Sequence, residues 1–343
     1  MPQLRDFEEQ QVHACLTITR SQVHAGSWFR QVGASCPSRE ILYTARTMSV
    51  HNIFAGAFVD RTGHRREDPE WLATAIESPD ARFVPIWGDK CLAAGEPFNA
   101  TLLKSADVDA FLPQQETIFL GMFRQKPTFA IHIDRSVEAP FTDAGEFHDL
   151  RYLGSVVPAD EANLIAHARA LVLWHGLQKY CGVCGAQSRT ESGGNTRICT
   201  NQECAIRTFP KVDPAIIVLV TRGDKCLLGR QTEWPEGRYS TIAGFVEPGE
   251  SLEDAVRREV AEETNIEVAG VHYHSSQPWP FPSALMLGFT AIATSDDIQL
   301  NDDELEDAQW FSRKELRSGF PKLPYRLSIA RRLVDDWLNE TGH

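Results

Sequence analysis

The chain has 343 residues, enough for two or three domains and a sizeable core. With 42% apolar and 24% charged residues it reads as a soluble globular protein, and no apolar run approaches a membrane span. A formal net charge of −13 argues against a basic face that grips duplex nucleic acid. It leaves open the recognition of one RNA end, or of an anion bridged by divalent cations. The opening MPQLRDFEEQ lacks the apolar stretch of a secretory signal and is poor as a transit peptide. Thr341-Gly342-His343 is neither a peroxisomal nor an ER address. The expected setting is intracellular, cytoplasmic first, with an organelle left open.

Residues 1–50 show weak periodicity and are an extension of unknown role. Domain-like text starts at His51. Segments 82–87 and 90–93 flank a Gly88-Asp89 turn, and 117–123 pairs plausibly with 128–133, so both read as hairpins. Residues 160–180, rich in Ala and Leu, read as one helix. Residues 51–180 are therefore expected to form an α+β domain.

Segment 181–210 carries four of the eight cysteines, as Cys181-x2-Cys184-x14-Cys199-x4-Cys204. It is glycine-rich and has no room for a core, so it needs a staple. In a chain of this size paired cysteines point to a metal rather than to disulfides, and paired thiolates a few residues apart suit tetrahedral Zn²⁺. Four ligands leave no open position, which makes the one Zn²⁺ structural.

Residues 211–343 alternate strands and helices around one core. Segment 215–221 is an apolar strand, and Gly223-Asp224 turns it into 225–230. A helix over 251–264 starts at the N-cap Ser251, and strands follow at 284–294 and 308–311. Ser312 opens a capping box with Glu315, and 327–338 is a final amphipathic helix.

The chemistry lies in 244–266. At about 100° per residue, Glu259, Glu262 and Glu263 share one helix face. Three like charges repel, and a hard divalent cation is the natural compensation. Val256 and Val260 lie beside that arc and can anchor the helix. Pro248-Gly249 turns the chain so that Glu250 joins the cluster, and Asn265 ends the helix because Asn tolerates the left-handed conformation.

This segment resembles the Nudix box, G-x5-E-x7-R-E-U-x-E-E-x-G-U with U aliphatic. Gly244, Glu250, Arg258, Glu259, Val260, Glu262, Glu263 and Ile266 match, and Asn265 stands where the family has Gly. The resemblance implies a Nudix hydrolase: a metal-dependent enzyme that cuts a nucleoside diphosphate linked to another group. It implies two or three Mg²⁺ or Mn²⁺ ions, with Glu259 and Glu263 as ligands. A glutamate of the cluster acts as general base, and Glu262 and Arg258 position Glu250.

Downstream, Ser276-Gln277-Pro278-Trp279-Pro280-Phe281-Pro282-Ser283-Ala284 holds three prolines and two aromatics and is expected to be a stiff loop able to wall an aromatic pocket. It resembles S-Q-P-W-P-F-P-x-S, the signature of the NADH pyrophosphatase branch of Nudix hydrolases, with Ala284 in place of the last Ser. The branch also has a four-cysteine zinc segment and an N-terminal domain, and stretches 208–217, 168–175, 54–83 and 119–121 resemble it. The implied fold is α-β-α Nudix, with an N-terminal α+β domain at 51–180, a zinc ribbon at 181–210 and the hydrolase domain at 211–343.

The same resemblance implies further site residues. Ala243 offers a carbonyl to a metal, and Glu304 supplies a third carboxylate. Gln277 to Ala284, Phe209, Phe245, Arg151 and Ala330 contact substrate. His175 is expected to be a core or interface residue. The implied reaction converts NADH, or NAD⁺, into NMN(H) and AMP; the family also removes NAD caps from RNA 5′ ends, and its members are often homodimers. The competing readings are a Nudix hydrolase of ADP-ribose or dinucleoside polyphosphates, and a zinc-ribbon binding protein with a decayed Nudix domain.

Overall fold

A computed structural model describes residues 51–112, 116–301 and 304–340. The extension 1–50 lies outside the described residues, as do Asp302 and Asp303. Among the described residues no helix is long and apolar enough to cross a membrane.

The first half builds one mixed sheet. Its strands are β1 (Val59–Asp60), β2 (Arg82–Trp87), β3 (Lys90–Ala94), β4 (Asn99–Ala100), β5 (Thr117–Phe123), β6 (Lys126–Ile133) and β7 (Glu146–His148). The order is β1-β5-β6-β2-β3-β4, with β7 also on β3. The expected hairpins β2–β3 and β5–β6 form, and β2 and β6 run parallel. Alternation along the strands divides the core in two. Val84, Ile86, Ile118 and Leu120 face a helix (Ala159–Leu177). Phe83, Phe119, Phe129 and Ile131 form a second cluster, packed by Trp71 and Leu72 of the shorter helix Pro69–Glu77. In chain order these helices are α1 (Pro69–Glu77) and α2 (Ala159–Leu177).

A small antiparallel sheet, β8 (Ser188–Glu191), β9 (Thr196–Cys199) and β10 (Arg207–Thr208), carries the cysteine segment. A buried Arg197 fastens it to the first half. Its Nη1 donates to Glu116 at 2.9 Å and meets His175 Nδ1 at 3.0 Å, while His175 Nε2 meets the Gly194 carbonyl at 2.7 Å. The His175 bond at 3.3 Å, then Arg197 and Thr190, hold the Glu116 carboxyl down at about 2 against its partial burial.

The second half forms the sheet β14-β15-β11-β12-β16, with β13 also on β11. Its strands are β11 (Asp213–Arg222), β12 (Lys225–Arg230), β13 (Ile242–Phe245), β14 (Val268–Trp279), β15 (Ala284–Ala293) and β16 (Asp307–Ser312). β11 and β15 run parallel. The continuous apolar run of β11 arises because both of its faces are covered. Ile216, Val218 and Val220 pack with Ala255, Val256 and Val260 of helix α3 (Leu252–Thr264). Ile217 and Leu219 pack with Leu333, Val334 and Trp337 of helix α4 (Ile329–Asn339) on the opposite face. Helix–sheet–helix layering is the α-β-α arrangement that the sequence implied.

The proline-rich segment differs from its expectation. Residues 276–279 are not loop: they complete β14, in register with 284–287 of β15. β14 is an edge strand, and an edge accommodates Pro278 because one side of the strand needs no ladder bond. Only residues 280–283 turn.

Candidate active site

Helix α3 starts where the sequence placed it. Ser251 accepts from the Asp254 amide at 3.2 Å, and Glu253 and Asp254 occupy the first turn, favourable at the positive end of the helix. It ends at Asn265, whose φ of 60° is left-handed and whose amide donates to the Ala261 carbonyl at 2.8 Å. Ala255, Val256 and Val260 are wholly buried and fix the helix rotation. That rotation brings Glu259 and Glu263 to the interior side, at 9% and 5% exposure, and leaves Glu262 exposed.

Arg258 organises the carboxylates. Its Nε and Nη2 donate to the two oxygens of Glu250 at 2.6 and 2.9 Å, a bidentate pair. Nη1 reaches Glu259 and Glu262, each at 2.9 Å, and Nη2 also meets the Phe245 carbonyl at 2.9 Å. Arg258, then the Glu247 amide, hold the Glu250 carboxyl down at about 2. Burial pushes Glu259 the other way; Arg258 opposes this, while the charges of Glu262 and Glu304 add to the rise. Glu259 lies flat on β13: a Cβ on Gly244 would sit 2.0 Å from its Cδ. The glycine that opens the motif is therefore a requirement of close approach.

Glu304 lies within electrostatic reach of Glu259, and Ala243 precedes Gly244 on β13. Buried carboxylates on one helix face, with a third from a loop, suit a hard cation with oxygen ligands. Among the described residues, though, these carboxylates do not close on one another as tightly as the cysteines do.

The four cysteine sulfurs all lie within 4.8 Å of one another, and Cys181–Cys204 and Cys184–Cys199 stand at 3.7 and 3.3 Å. Sulfurs about 2.3 Å from a tetrahedral centre would stand about 3.8 Å apart, so the quartet has the size for one zinc ion. The turn is preformed: the Gly185 amide bonds the Cys181 carbonyl at 2.9 Å with φ +75° at Gly185. Backbone amides of Cys184 and Val183 hold the Cys181 thiol down at about 7. None of the described cysteines is in a disulfide.

The expected substrate residues do not form one group. Phe209, Trp279, Pro280, Pro282, Ser283 and Ala284 border a hollow of about 510 Å³ against α2. Arg151 and Trp279 border another, of about 630 Å³, together with Trp234, Arg238 and Tyr325. Phe281 lies under two guanidinium groups, Arg151 at 4.0 Å and Arg169 at 5.1 Å, and Arg169 also donates to the Pro280 carbonyl. Phe209 and Phe245, at 58% and 62% exposure, are surface aromatics rather than core.

Two of the expected substrate residues are buried. Gln277 is completely buried: Nε2 donates to the carbonyls of Ile53 and Leu327 at 3.1 and 2.8 Å, and Oε1 accepts from Ile329 at 2.8 Å. It clips the first half of the chain to the second. Ala330 is buried in α4 at 1% exposure, with its amide on Ser328 Oγ at 3.2 Å. Ser283, next to the departing Ala284, donates its hydroxyl to Asp213. Arg169 lies in the 168–175 stretch that resembles the branch but carried no expected role there; it is the one arginine of α2.

Two sequence profiles match the chain. A NUDIX domain covers residues 211–337, and an NADH pyrophosphatase-like rudimentary NUDIX domain covers 80–174. The chain is 32% identical over 340 residues to the NAD-capped RNA hydrolase NUDT12 of Homo sapiens, spanning 84% of this chain and 73% of that one. It is 39% identical over 219 residues to the NAD-capped RNA hydrolase NudC of Pseudomonas aeruginosa, 64% of this chain and 76% of the relative. With Nudix hydrolase 19, chloroplastic, of Arabidopsis thaliana, identity is 38% over 266 residues, 72% of this chain and 59% of that one.

Proposed function

Because the chain belongs to the Nudix hydrolase family, in the branch that joins a NUDIX domain to an NADH pyrophosphatase-like one, we propose that it cleaves the pyrophosphate bond of NAD(H) to give NMN(H) and AMP, and removes NAD caps from RNA 5′ ends. The observation that carries this reading is the glutamate cluster gathered on Arg258 over Gly244. A decayed domain would have no reason to keep that arrangement.

In this reading Glu259, Glu263, Glu304 and the Ala243 carbonyl hold Mg²⁺ or Mn²⁺. Bound there, such cations neutralise the diphosphate and lower the pKa of water. The chain supplies the rest. A carboxylate of the cluster takes the proton of the attacking water. Glu250, spanned by Arg258 and held at about 2, is a weaker base than Glu259, whose carboxyl burial pushes up, and serves to fix the arginine. Arg258 in turn keeps Glu259 and Glu262 oriented. The exposed rings of Phe209 and Phe245 offer stacking faces for a base or a nicotinamide.

The cysteine quartet holds one structural Zn²⁺, and metal analysis should return close to one zinc per chain. A reducing, cytoplasmic setting keeps those thiols available. Exposed Leu177, Tyr180 and Val183 gather large apolar side chains around the end of α2 and the start of the zinc segment, which favours a homodimer through that face.

The deciding measurement compares kcat/KM for NADH, ADP-ribose and diadenosine polyphosphates with Mg²⁺ or Mn²⁺, with products identified. NMNH and AMP from NADH, at the highest efficiency of the set, are expected. A clear preference for ADP-ribose or a diadenosine substrate would overturn the choice of substrate.

A further inference from the structure

Two hollows meet at Phe209. The one of about 510 Å³ has Arg61, His167 and Lys211 in its wall. The other, of about 820 Å³, runs between the first half and the zinc segment and is lined by Arg66, Arg189 and Arg207. Phe209 borders both.

The cations here are poorly compensated. Arg61 lies against the His167 ring, another nitrogen group, and Arg66 adds to the positive charge around it. Among the described residues neither arginine has a carboxylate in ion-pair contact, and the buried Arg66 Nε has no hydrogen-bond partner. Asp60, next in sequence, is turned to the Thr62 amide at 2.9 Å. Arg189 and Arg207 share one carboxylate, Glu191, at 2.8 and 3.4 Å. Along both hollows the acids are Glu67, Glu191 and Asp213, fewer than the lysine and arginines that face them, on a chain of formal net charge −13.

Arg66, partly buried and with no acid in contact among the described residues, calls for an anion from outside, and Arg189 and Arg207, largely exposed, have one carboxylate between them. A single dinucleotide fits one hollow of several hundred Å³ and needs no second, cation-lined one beyond it. A strand with repeating phosphates does. Guanidinium groups along a groove, with an exposed aromatic ring at its bend, suit single-stranded nucleic acid.

We propose that the Arg66–Arg189–Arg207 hollow is the track for the RNA strand behind an NAD cap, entered past Phe209 and contacted through phosphodiesters. This rests on the reading that NAD-capped RNA is a substrate.

The test uses the full chain with Mg²⁺ and two substrates, NADH and a 5′-NAD-capped single strand of about twelve nucleotides. In the Arg66→Gln/Arg189→Gln/Arg207→Gln variant, kcat/KM on the capped strand should fall about tenfold or more, while NADH stays within about twofold. The slope of log kcat/KM against log salt, for the capped strand alone, should flatten by about 2. The matching triple Arg→Lys variant should stay near wild type on both substrates. If the triple Gln variant misfolds, the single Arg66→Gln change carries the same comparison, with a smaller loss confined to the capped strand.

Equal losses on NADH and on the capped strand, in a variant that melts like wild type, would overturn the track; so would an unchanged salt slope. Failure of the wild-type chain to cut NADH at all would instead sink the functional reading.

Discussion

The two large sheets are built alike and used differently. Each contains one parallel strand pair, β2 with β6 and β11 with β15, and each is covered by a helix near its centre. In the first, α2 is buried almost all round, and its Glu161 is spent on structure: Oε2 accepts from the Ala100 amide at 2.7 Å and Oε1 meets Arg124 at 3.0 Å. In the second, α3 buries Glu259 and Glu263 beside its valines, and Arg258 gathers Glu259 and Glu262 of the helix with Glu250 just before it. A buried carboxylate matched by backbone and arginine has no capacity left for a ligand. A set of carboxylates that outnumbers its arginine keeps that capacity. The comparison teaches that the frame is common and that the helix face decides which copy does chemistry.

Exchanging one glutamate in each helix is the most direct way to break this contrast. Glu259→Gln keeps the volume, removes one charge, and should lower kcat on NADH on the order of 10³-fold in a protein that melts like wild type. A loss below tenfold would mean that Glu259 is structural, like Glu161.

Arg258 comes next. Lysine keeps the charge but cannot span Glu250 while also reaching Glu259 and Glu262. Arg258→Lys is expected to cost about 10–100-fold in kcat, the range for groups that orient ligands rather than hold them. Unchanged kcat with raised KM would place the arginine on substrate instead.

The reverse experiment is Glu161→Gln. It leaves the Ala100 amide and Arg124 less well matched in a buried site, and should cost about 1–3 kcal/mol in denaturant unfolding. The kcat of the folded protein should not move. A specific loss of kcat would make the N-terminal helix part of the chemistry and dissolve the contrast.

What the sequence revealed follows the same division. The α3 cluster was legible because its determinants are local: Ser251, Val256, Val260, Arg258 and Asn265 act within a few turns of the glutamates they serve. The cysteine quartet was legible because its two pairs are close in sequence. Gln277 was not, since its partners Ile53, Leu327 and Ile329 lie fifty or more residues away. A polar side chain in a signature loop reads as a ligand contact until its partners are known. The prolines misled for a related reason: whether Pro278 breaks a strand depends on whether that strand lies at an edge, which is a property of the sheet order. The separation of Arg151 from Phe209 into different hollows likewise needs the tertiary arrangement.

Asn265, the one departure inside the motif, gives the smallest expected effect and the sharpest check on the local argument. Its left-handed backbone, φ 60° and ψ 15°, closes α3 and so sets where the glutamate face ends. Glycine takes that conformation without a Cβ penalty but also loosens the unfolded chain, and the two effects nearly cancel. Asn265→Gly should therefore change stability by less than about 1 kcal/mol and leave kcat on NADH unaltered. Asn265→Ala, which keeps a Cβ without a polar group to favour this conformation, should cost about 1–2 kcal/mol. Unfolding curves for the pair measure the backbone effect alone. If glycine altered kcat several-fold at unchanged stability, Asn265 would be acting on the carboxylate cluster through its side chain, and the helix end would count as part of the site rather than of its frame.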